Sequence, residues 1–423
     1  MTNTISFKEM KLKFKNKKSI FNTLILIYIY ILFVLPNDMF QATSIDILHK
    51  SASMYYDAWI INVSILYLPI VLCGFFKIFK YKISRFLLWV LVYATCKDIL
   101  IYLLGNNHYF QYDLYYTYLV SLCLFAIIAD LFNDKDNIHK FIKIFTIIHL
   151  LTLLVSVVTG IGTGLYGFEK RYHSSGLSSG ENAYIFALLS CYFAFMQKKK
   201  NYLLFFLCIL GIVATGTRKE LLYLVIIFLI FIFNEVFRKK TYYMKKLNTI
   251  HLFLILSFII VIPILLISDN NIFSKLDISR YADVLTSIFS DGISSLLTDS
   301  SAIGRIGSIK AGISVLKTSP LIGTYFSFFD VQYYMQLFNY PTFPHSTFLF
   351  YACCLGIPIC IFILYYLISL LYKAFLLRNP CFYALLYFLI HNIISGGALI
   401  DIKVVFFNIY YIYMIKKILK LND

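Results

Sequence analysis

Long apolar blocks alternate with short polar segments along most of the chain. A bilayer core of roughly 30 Å needs about 20 apolar residues per helix, and this length divides the pattern into twelve membrane-spanning segments. A transmembrane β-strand would alternate in polarity over about ten residues, and these blocks do not. The pattern therefore predicts an all-α polytopic membrane protein with about twelve transmembrane helices, in which residues 1–423 form a single membrane domain. The predicted spans lie near residues 19–35, 59–76, 86–104, 114–132, 141–159, 183–196, 202–216, 221–236, 250–267, 346–372, 381–395 and 402–415.

The positions of the lysines predict the orientation of these helices. The amino-terminal tail and every second connection after it are basic, including KIFKYKISR, QKKKN and FRKKTYYMKK. By the positive-inside rule these segments are cytoplasmic, as are both termini. The net charge of +17 is thus mainly a topology signal, and it favours anionic membrane lipid as a partner over nucleic acid. The 60% content of hydrophobic residues excludes an ordinary soluble domain, and the nine cysteines show neither a disulfide framework nor zinc-type spacing.

The arginines follow a different distribution from the lysines. Most lysines fall on the predicted cytoplasmic side, but four of the seven arginines fall on the external side. A guanidinium group grips phosphate oxygens in pairs, whereas an ammonium group is a hydrated point charge. The distribution therefore suggests an anion site on the outer face, and salt bridges to external carboxylates are the alternative. The external arginines are Arg171, Arg218, Arg280 and Arg305.

The hexapeptide TGTRKE at residues 215–220 separates two short apolar runs. The run before it, residues 202–216, spans roughly 22 Å as a helix, which is less than the thickness of the hydrocarbon core. The turn is therefore predicted to lie below the outer surface. A charge facing lipid costs about 2.5 kcal/mol or more, so Arg218 should face a water-accessible cavity within the protein. Tilted helices that leave Arg218 as an interfacial anchor are the alternative.

Two long loops are predicted on the outer face, at residues 160–182 and 268–345. In the larger loop, SAIGRIGSIKAGISVLK predicts an amphipathic helix on the membrane that ends at TSPLIG, and LDISRYADVLTSIF is a second candidate. The apolar positions of the first helix are Ile306, Ile309, Ile313 and Leu316. His345 closes the loop, directly before a span in which Gly356 and Pro358 predict a kink.

Other polar motifs carry weaker signals. GTGLYG at residues 162–167 matches a dinucleotide-binding pattern, but no predicted strand precedes it, so a nucleotide site is disfavoured, and a phosphate-binding nest of backbone amides is left open. Lys97 and Asp98, inside the third span, are expected to pair with each other or with neighbouring helices, and a proton relay is the alternative. His149 and His391 are interpreted as hydrogen-bonding residues in helix packing rather than as ligands.

Four of these segments together resemble the bacterial O-antigen polymerase and O-antigen ligase superfamily. They are RYHSSGLSSGENAY, TGTRKELLYLVI, GRIGSIKAGISVLKTSPLIGTY and PHSTFLFYACCLGI, which contain Arg171, Arg218, Arg305 and His345. The resemblance covers roughly residues 150–375. One departure is Ser346, where many members of the superfamily have Asn after the histidine.

The resemblance implies a membrane-embedded glycosyltransferase on the outer face of the bacterial cytoplasmic (inner) membrane. Members transfer a glycan from undecaprenyl pyrophosphate to a sugar hydroxyl, without a nucleotide sugar, cofactor or metal. The implied catalytic residues are His345, Arg218 and Arg305, with Arg171 and Arg280 as further ligands of the pyrophosphate. A guanidinium group would stabilise the pyrophosphate leaving group, and His345 would orient or deprotonate the attacking hydroxyl. The alternative role of His345 is donation of a hydrogen bond to a pyrophosphate oxygen.

Within the superfamily the sequence favours a polymerase of O-antigen or capsule-type polysaccharide, which joins the glycan to another lipid-linked repeat unit. The alternatives are an O-antigen ligase, which delivers the glycan to the lipid A core of lipopolysaccharide, and a flippase for lipid-linked oligosaccharides. A metal-dependent transferase is disfavoured because Asp38, Asp46 and Asp57 are not neighbours in the first external loop. A regulator of polysaccharide chain length is left open as a partner.

Overall fold

The computed structural model describes residues 7–34, 66–104, 113–132, 135–159, 163–166, 169–172, 177–197, 201–238, 300–340, 343–394 and 401–420. The regular secondary structure of these ranges is helical apart from one short hairpin, and the predicted all-helical class is confirmed. The helices before the hairpin are α1 (Phe7–Val34), α2 (Leu66–Ile78), α3 (Lys82–Leu103), α4 (Asp113–Leu131) and α5 (Lys135–Thr159). The hairpin consists of β1 (Thr163–Tyr166) and β2 (Glu169–Tyr172), paired antiparallel.

The helices after the hairpin form two groups, separated by residues 239–299. The first group is α6 (Ser179–Cys191), which continues into a π-helical turn at Tyr192–Met196, with α7 (Tyr202–Ala214) and α8 (Arg218–Arg238). The second group is α9 (Ser300–Thr318), α10 (Phe328–Leu337), α11 (Thr347–Leu355), α12 (Ile357–Leu376), α13 (Cys381–Ile394) and α14 (Ile402–Lys420).

Eleven of the twelve predicted spans coincide with described helices, and the one near residues 250–267 lies outside the described ranges. Four helical segments in the described chain are long and apolar enough to cross a membrane, and four more are apolar but shorter. The total of twelve spans and the cytoplasmic termini remain predictions. The long segments are Lys82–Leu103, Leu114–Leu131, Asn137–Thr159 and Ile357–Leu376.

The most enclosed helix is α6, in which every residue from 182 to 191 is buried. A capping box starts this helix: Glu181 N donates to Ser178 Oγ (3.3 Å), and Ser178 N donates to Glu181 Oε2 (2.9 Å). Helix α7 packs directly against it, because a Cβ at Gly211 would lie only 3.0 Å from the ring of Phe186. Helix α6 is thus held in the protein interior, whereas α7 packs one face against it and exposes Leu203 and Phe206 on the other.

The interruption predicted at Gly356 and Pro358 is present, and it is a complete break between α11 and α12 rather than a kink within one helix. Gly356 has φ +83°, a conformation that breaks helical hydrogen bonding, and Pro358 lies in the first turn of α12, where proline is tolerated. The TSPLIG turn fills the break: Ile357 N donates to Pro320 O (2.9 Å), and Thr324 N donates to Cys353 O (2.7 Å). Irregular backbone is stable in such a place because protein, rather than lipid, satisfies its polar groups.

Lys97 and Asp98 hold this turn in place. Their side chains pair at 2.7 Å, which confirms the predicted ion pair, and both are buried. Lys97 Nζ also donates to the carbonyl oxygens of Thr324 and Cys354, while Asp98 Oδ2 accepts from Phe326 N (2.9 Å). The ion pair therefore stabilises the irregular backbone around the helix break.

Candidate functional site

The hexapeptide TGTRKE forms the turn from α7 into α8. Gly216 has φ +67°, the left-handed conformation that commonly ends a helix, and Arg218 is the first residue of α8. Thr217 Oγ1 donates to the carbonyl oxygen of Ser179 (3.4 Å), which joins the turn to the start of α6. Arg218, Lys219 and Glu220 therefore lie in the first turn of α8, where the backbone amides and the helix dipole favour negative charge.

Glu220 is the centre of a polar network that joins α8 to α13 and packs against α6. Its side chain is fully buried, and Oε2 accepts a hydrogen bond from the Tyr387 hydroxyl and lies 3.1 Å from His391 Nδ1. Lys219 Nζ lies 3.6 Å from Glu220 Oε1. The His391 ring stacks on Tyr184 of α6, with centroids 3.9 Å apart. We call Lys219, Glu220, Tyr387 and His391 the buried network, and it confirms that His391 is a hydrogen-bonding residue in helix packing.

Helix α9 presents a face of small residues to the segment before α11. The Tyr340 hydroxyl donates to the carbonyl oxygen of Gly304 (2.7 Å). A Cβ at Gly312 would lie 2.9 Å from Leu349 Cδ2 and 3.0 Å from Pro344 Cγ. Glycines on α9 thus permit the close approach that brings this helix beside the end of the external loop.

One serine connects Arg305 with His345. His345 N donates to Ser308 Oγ (3.2 Å), and Ser308 Oγ donates to the carbonyl oxygen of Arg305 (2.9 Å). Ser308 is fully buried, so solvent does not compete for these bonds. The position of His345 is therefore fixed relative to the helical turn that carries Arg305.

Two positive charges act on the half-buried His345 imidazole. Burial lowers the pKa of His345, and the charges of Lys219 and then Arg305 lower it further. An imidazole in this setting is neutral near pH 7 and can accept a proton. We refer to Lys219, Arg305 and His345 as the cation–histidine site.

Positive charge predominates among the described side chains at this site. Lys219 and Arg305 supply two cations, and Glu220 is the nearby anion. The Glu220 carboxylate is fully buried and is shared with Tyr387 and His391, so it does not neutralise both cations. The arrangement is suited to a ligand that carries more than one negative charge.

The structure brings together part of the predicted site. Arg305 and His345 lie close together, and Arg218 adjoins Lys219 in the chain. Arg171 lies in β2, paired with Gly164 of β1, and the side chains of Arg171 and Arg218 are outside the described part. Arg280 lies outside the described ranges, so its role and that of Arg171 remain predictions.

The GTGLYG segment is a strand over residues 163–166, not a nest of amides. These residues form β1, which pairs along its length with β2. Successive amides of a strand point in opposite directions, so they cannot converge on one anion. The phosphate nest that the sequence left open is therefore not formed by these four residues.

Lys219 and Glu220 were not predicted as site residues. Both stand in the same hexapeptide as Arg218, but Glu220 finds its partners on α13, 167 and 171 residues later in the chain. A carboxylate at the start of an apolar helix signals a buried partner. His391 is predicted to lie within the membrane, so Glu220 and His391 could have been identified from the sequence as partners.

The comparisons with known proteins bear on the segment that holds this site. No curated protein matches the chain at a significant level. The segment that does match a family model begins in α7 and ends in α12, and it includes Arg218, Arg305 and His345. Residues 203–364 match the family model described as O-antigen ligase, and the resemblance to the O-antigen polymerase and ligase superfamily is thereby confirmed.

Proposed function

We propose that the protein is a polysaccharide polymerase of the O-antigen or capsule type. It transfers an undecaprenyl-pyrophosphate-linked glycan to a hydroxyl of another lipid-linked repeat unit, on the outer face of the bacterial cytoplasmic membrane and without a metal. The observation that carries this proposal is the hydrogen-bonded link of His345 through Ser308 to the helical turn of Arg305, within the segment that matches the family model. The charges of Lys219 and Arg305 also lower the pKa of the half-buried His345 imidazole.

The leaving group of this reaction is a lipid pyrophosphate. As the bond between the anomeric carbon and the pyrophosphate oxygen breaks, negative charge accumulates on that oxygen. Arg305 and Arg218 are assigned to bind it through their guanidinium groups, Lys219 adds a third positive charge, and Arg171 and Arg280 are assigned as helpers. Donors fixed in place before the reaction stabilise such charge most effectively, and the contacts of Ser308 and Glu220 fix this part of the chain.

His345 is assigned as the general base. The acceptor hydroxyl forms the new bond to the anomeric carbon, and its proton passes to the His345 imidazole. The lowered pKa of His345 keeps the ring neutral before the reaction. No described residue hydrogen-bonds to the ring nitrogens, so the ring is available to a substrate hydroxyl.

An O-antigen ligase is the second candidate, because the matching family model carries that description. The donor and the chemistry are the same in both reactions, and only the acceptor differs. We favour the polymerase because the polymerases of the superfamily are very divergent in sequence, and this chain matches only the short motifs that the superfamily shares. A flippase gains no support from the match. A chain-length regulator remains a proposed partner.

The surface glycans of a deletion strain distinguish the two candidates. Loss of a polymerase leaves glycans with a single repeat unit, whereas loss of a ligase leaves long chains on the lipid carrier. The strain is then complemented with wild type, Arg305→Ala or Lys310→Ala. Lys310 is an exposed cation on the same helix, so its variant is a matched control. We expect wild type and Lys310→Ala to restore the long chains, and Arg305→Ala to fail at equal expression. Restoration by Arg305→Ala would contradict the proposal.

A further inference from the structure

A tyrosine just after α10 makes a second link to the helical turn that carries Arg305. Asn339 has φ +60°, a left-handed conformation that ends a helix, and the next amide, Tyr340 N, donates to Met335 O (3.0 Å). Phe338 N donates to the same carbonyl oxygen (3.1 Å). These bonds fix the backbone of Tyr340 at the point where the chain leaves α10 and continues to His345.

The side chain of Tyr340 contacts α9 through both its hydroxyl and its ring. The hydroxyl donates to the carbonyl oxygen of Gly304 (2.7 Å), and a Cβ at Gly307 would lie 3.3 Å from the ring atom Cε2. A carbonyl oxygen has two lone pairs, so this bond does not compete with the hydrogen bonds of the helix. Tyr340 is therefore attached to the residues on both sides of Arg305.

Tyr340 and His345 bond to α9 at two separate points. Their partners, Gly304 and Ser308, are four residues apart and so lie on one face of the helix, about 6 Å apart along its axis. A single hydrogen bond allows rotation about the contact, whereas two bonds at separate points also oppose rotation. The chain from residue 340 to residue 345 is thus attached to α9 at both of its ends.

The hydroxyl of Ser308 is oriented to accept the His345 amide. Its proton is donated within α9, to Arg305 O (2.9 Å), so its lone pairs accept from His345 N (3.2 Å). Pro344, the residue before His345, packs on the same helix, where a Cβ at Gly312 would lie 3.0 Å from Pro344 Cγ. The backbone at His345 is thus held against α9 by one polar and one apolar contact.

The separation of Arg305 and His345 matters for the proposed reaction, because the two groups act on two bonds of the same anomeric carbon. His345 takes the proton of the hydroxyl that forms one bond, while Arg305 binds the pyrophosphate that leaves from the other. Both must be in place at the same moment. A misplacement of about 1 Å between reacting groups can cost roughly 100-fold in rate.

We propose that Tyr340 is a positioning residue for glycan transfer, which together with Ser308 holds Arg305 and His345 at a fixed separation. The inference rests on the proposed function and assigns it a residue outside the cation–histidine site. Tyr340 acts through the carbonyl group of Gly304, and so on the backbone of the Arg305 turn, rather than on the reacting atoms.

Removal of single hydroxyl groups tests this proposal. Tyr340→Phe keeps the ring against α9 and removes only the bond to Gly304 O. Ser308→Ala removes the bond to His345 N, and it favours the helix because alanine is the best helix former. Either variant alone decides if the other does not fold.

Each variant has a matched control that removes the same chemical group elsewhere. Tyr365→Phe removes a tyrosine hydroxyl from an exposed position on α12. Ser314→Ala removes a serine hydroxyl from α9 itself, where it donates to Lys310 O within the helix (3.2 Å). Neither change alters the contacts of Tyr340 or Ser308.

The first readout is transfer by the purified protein, with an undecaprenyl-pyrophosphate-linked repeat unit as donor and acceptor. We expect Tyr340→Phe and Ser308→Ala each to lower kcat about tenfold, with KM within about twofold of wild type, because misaligned groups still bind substrate but react slowly. Tyr365→Phe and Ser314→Ala should keep the wild-type kcat. A wild-type kcat in Tyr340→Phe would overturn the proposal.

The second readout needs no substrate and separates positioning from a general loss of structure. The charges of the described chain that act on the His345 ring are Lys219 of α8 and Arg305 of α9, and both lower its pKa. When the Arg305 turn is released by Tyr340→Phe or Ser308→Ala, NMR titration of the imidazole should give a pKa closer to the ordinary value of about 6.5. A lower kcat with an unchanged His345 pKa would indicate inactive protein and would overturn the positioning role.

Failure of this inference and failure of the proposed function give different results. If Arg305→Ala loses transfer while Tyr340→Phe keeps the wild-type kcat and His345 pKa, the proposed function stands and the positioning role is overturned. If Arg305→Ala transfers at the wild-type rate while Tyr340→Phe still raises the pKa of His345, the proposed function fails. Tyr340 would then hold the Arg305 turn beside His345 without a role in transfer, which also overturns the inference.

Discussion

Replacing Glu220 separates the electrostatic role of its carboxylate from its role as a hydrogen-bond acceptor. Glu220→Ala leaves Tyr387 and His391 without their shared acceptor and Lys219 without its counter-ion. Glu220→Gln keeps an acceptor oxygen and similar volume but removes the negative charge. The structure thus predicts that the two variants differ measurably in stability.

The expected magnitude follows from the number and type of contacts. Interhelical hydrogen bonds in membranes are worth about 0.6 kcal/mol each, so the two made by Glu220 account for about 1 kcal/mol. Breaking a buried ion pair by removing one partner costs about 3–5 kcal/mol. Lys219 is partly exposed, so we expect the lower end, with Glu220→Ala losing about 3 kcal/mol of unfolding free energy. Glu220→Gln should lose about 2 kcal/mol of unfolding free energy, because it removes the charge that pairs with Lys219 but keeps an oxygen that accepts the hydrogen bonds.

The assay is equilibrium unfolding of the purified protein in mixed micelles, with Lys219→Met added to each variant. In the Glu220→Ala background, Lys219→Met should restore about 1 kcal/mol or more, because it removes the positive charge that Glu220 balances in the wild type. Lys310→Met on α9 is the control, since that lysine is exposed and should give a change of less than about 0.5 kcal/mol. A Glu220→Ala variant as stable as wild type would refute the buried network.

Three further predictions concern other parts of the chain. Because the folded site lowers the pKa of His345, the transfer rate should fall only at a pH below the ordinary histidine value of about 6.5. Lys219→Met should raise the midpoint of this pH dependence, and an unchanged midpoint would show that Lys219 is remote from the ring. In the unfolded chain His345 binds a proton more readily, so its contribution to stability is lost as pH falls below about 6.5. Gly356→Ala should destabilise the protein by about 1–3 kcal/mol or more, because φ is +83° and the new Cβ would overlap the carbonyl of Leu321. Thermal unfolding measures this loss, and a melting temperature equal to that of the wild type would contradict the helix break. Lys97→Met should lower the free energy of unfolding by about 3–5 kcal/mol. The double variant Lys97→Met/Asp98→Asn should lower it by less, and equal losses in the two variants would mean that the two charges do not interact.

The helices could be predicted from the sequence because their signal is local. Each apolar block is a continuous stretch, and eleven of the twelve predicted segments coincide with described helices. Helix α9 was also predicted from local spacing, and it ends at Thr318, just before Pro320. Local sequence did not reveal which face of α9 packs. Ile306 and Ile313 are exposed, and the packed face consists of small residues such as Ser308 and Gly312. The predicted contact of the isoleucines with the membrane remains a prediction.

The break at Gly356 could not be predicted in full, because its stability depends on a distant segment. Glycine and proline indicated a bend, but the carbonyl group that accepts from Ile357 N belongs to Pro320. The structural role of Lys97 and Asp98 could not be predicted for the same reason, because their side chains hydrogen-bond to backbone groups more than 220 residues away in the chain. Contacts at such separations leave no pattern in a local stretch of sequence.

The candidate site was predicted in part. Arg305 and His345 were identified through the superfamily pattern, and the structure brings them together through Ser308. Lys219 was passed over because a lysine near a membrane surface is usually a topology signal, although its position beside Glu220 gives it a buried counter-ion. The buried contacts of Glu220, and with them the position of Lys219, are defined only by Tyr387 and His391 on α13.

Transfer by the purified protein in lipid nanodiscs tests the central claim most directly, with an undecaprenyl-pyrophosphate-linked repeat unit as donor and acceptor. The claim is that guanidinium and ammonium groups beside His345 stabilise the departing pyrophosphate. We predict that Arg305→Ala and Arg305→Lys both lower kcat/KM about 100-fold or more, because Lys lacks the forked donors, while Lys310→Ala retains wild-type activity. Chain formation at the wild-type rate by Arg305→Ala would contradict the claim.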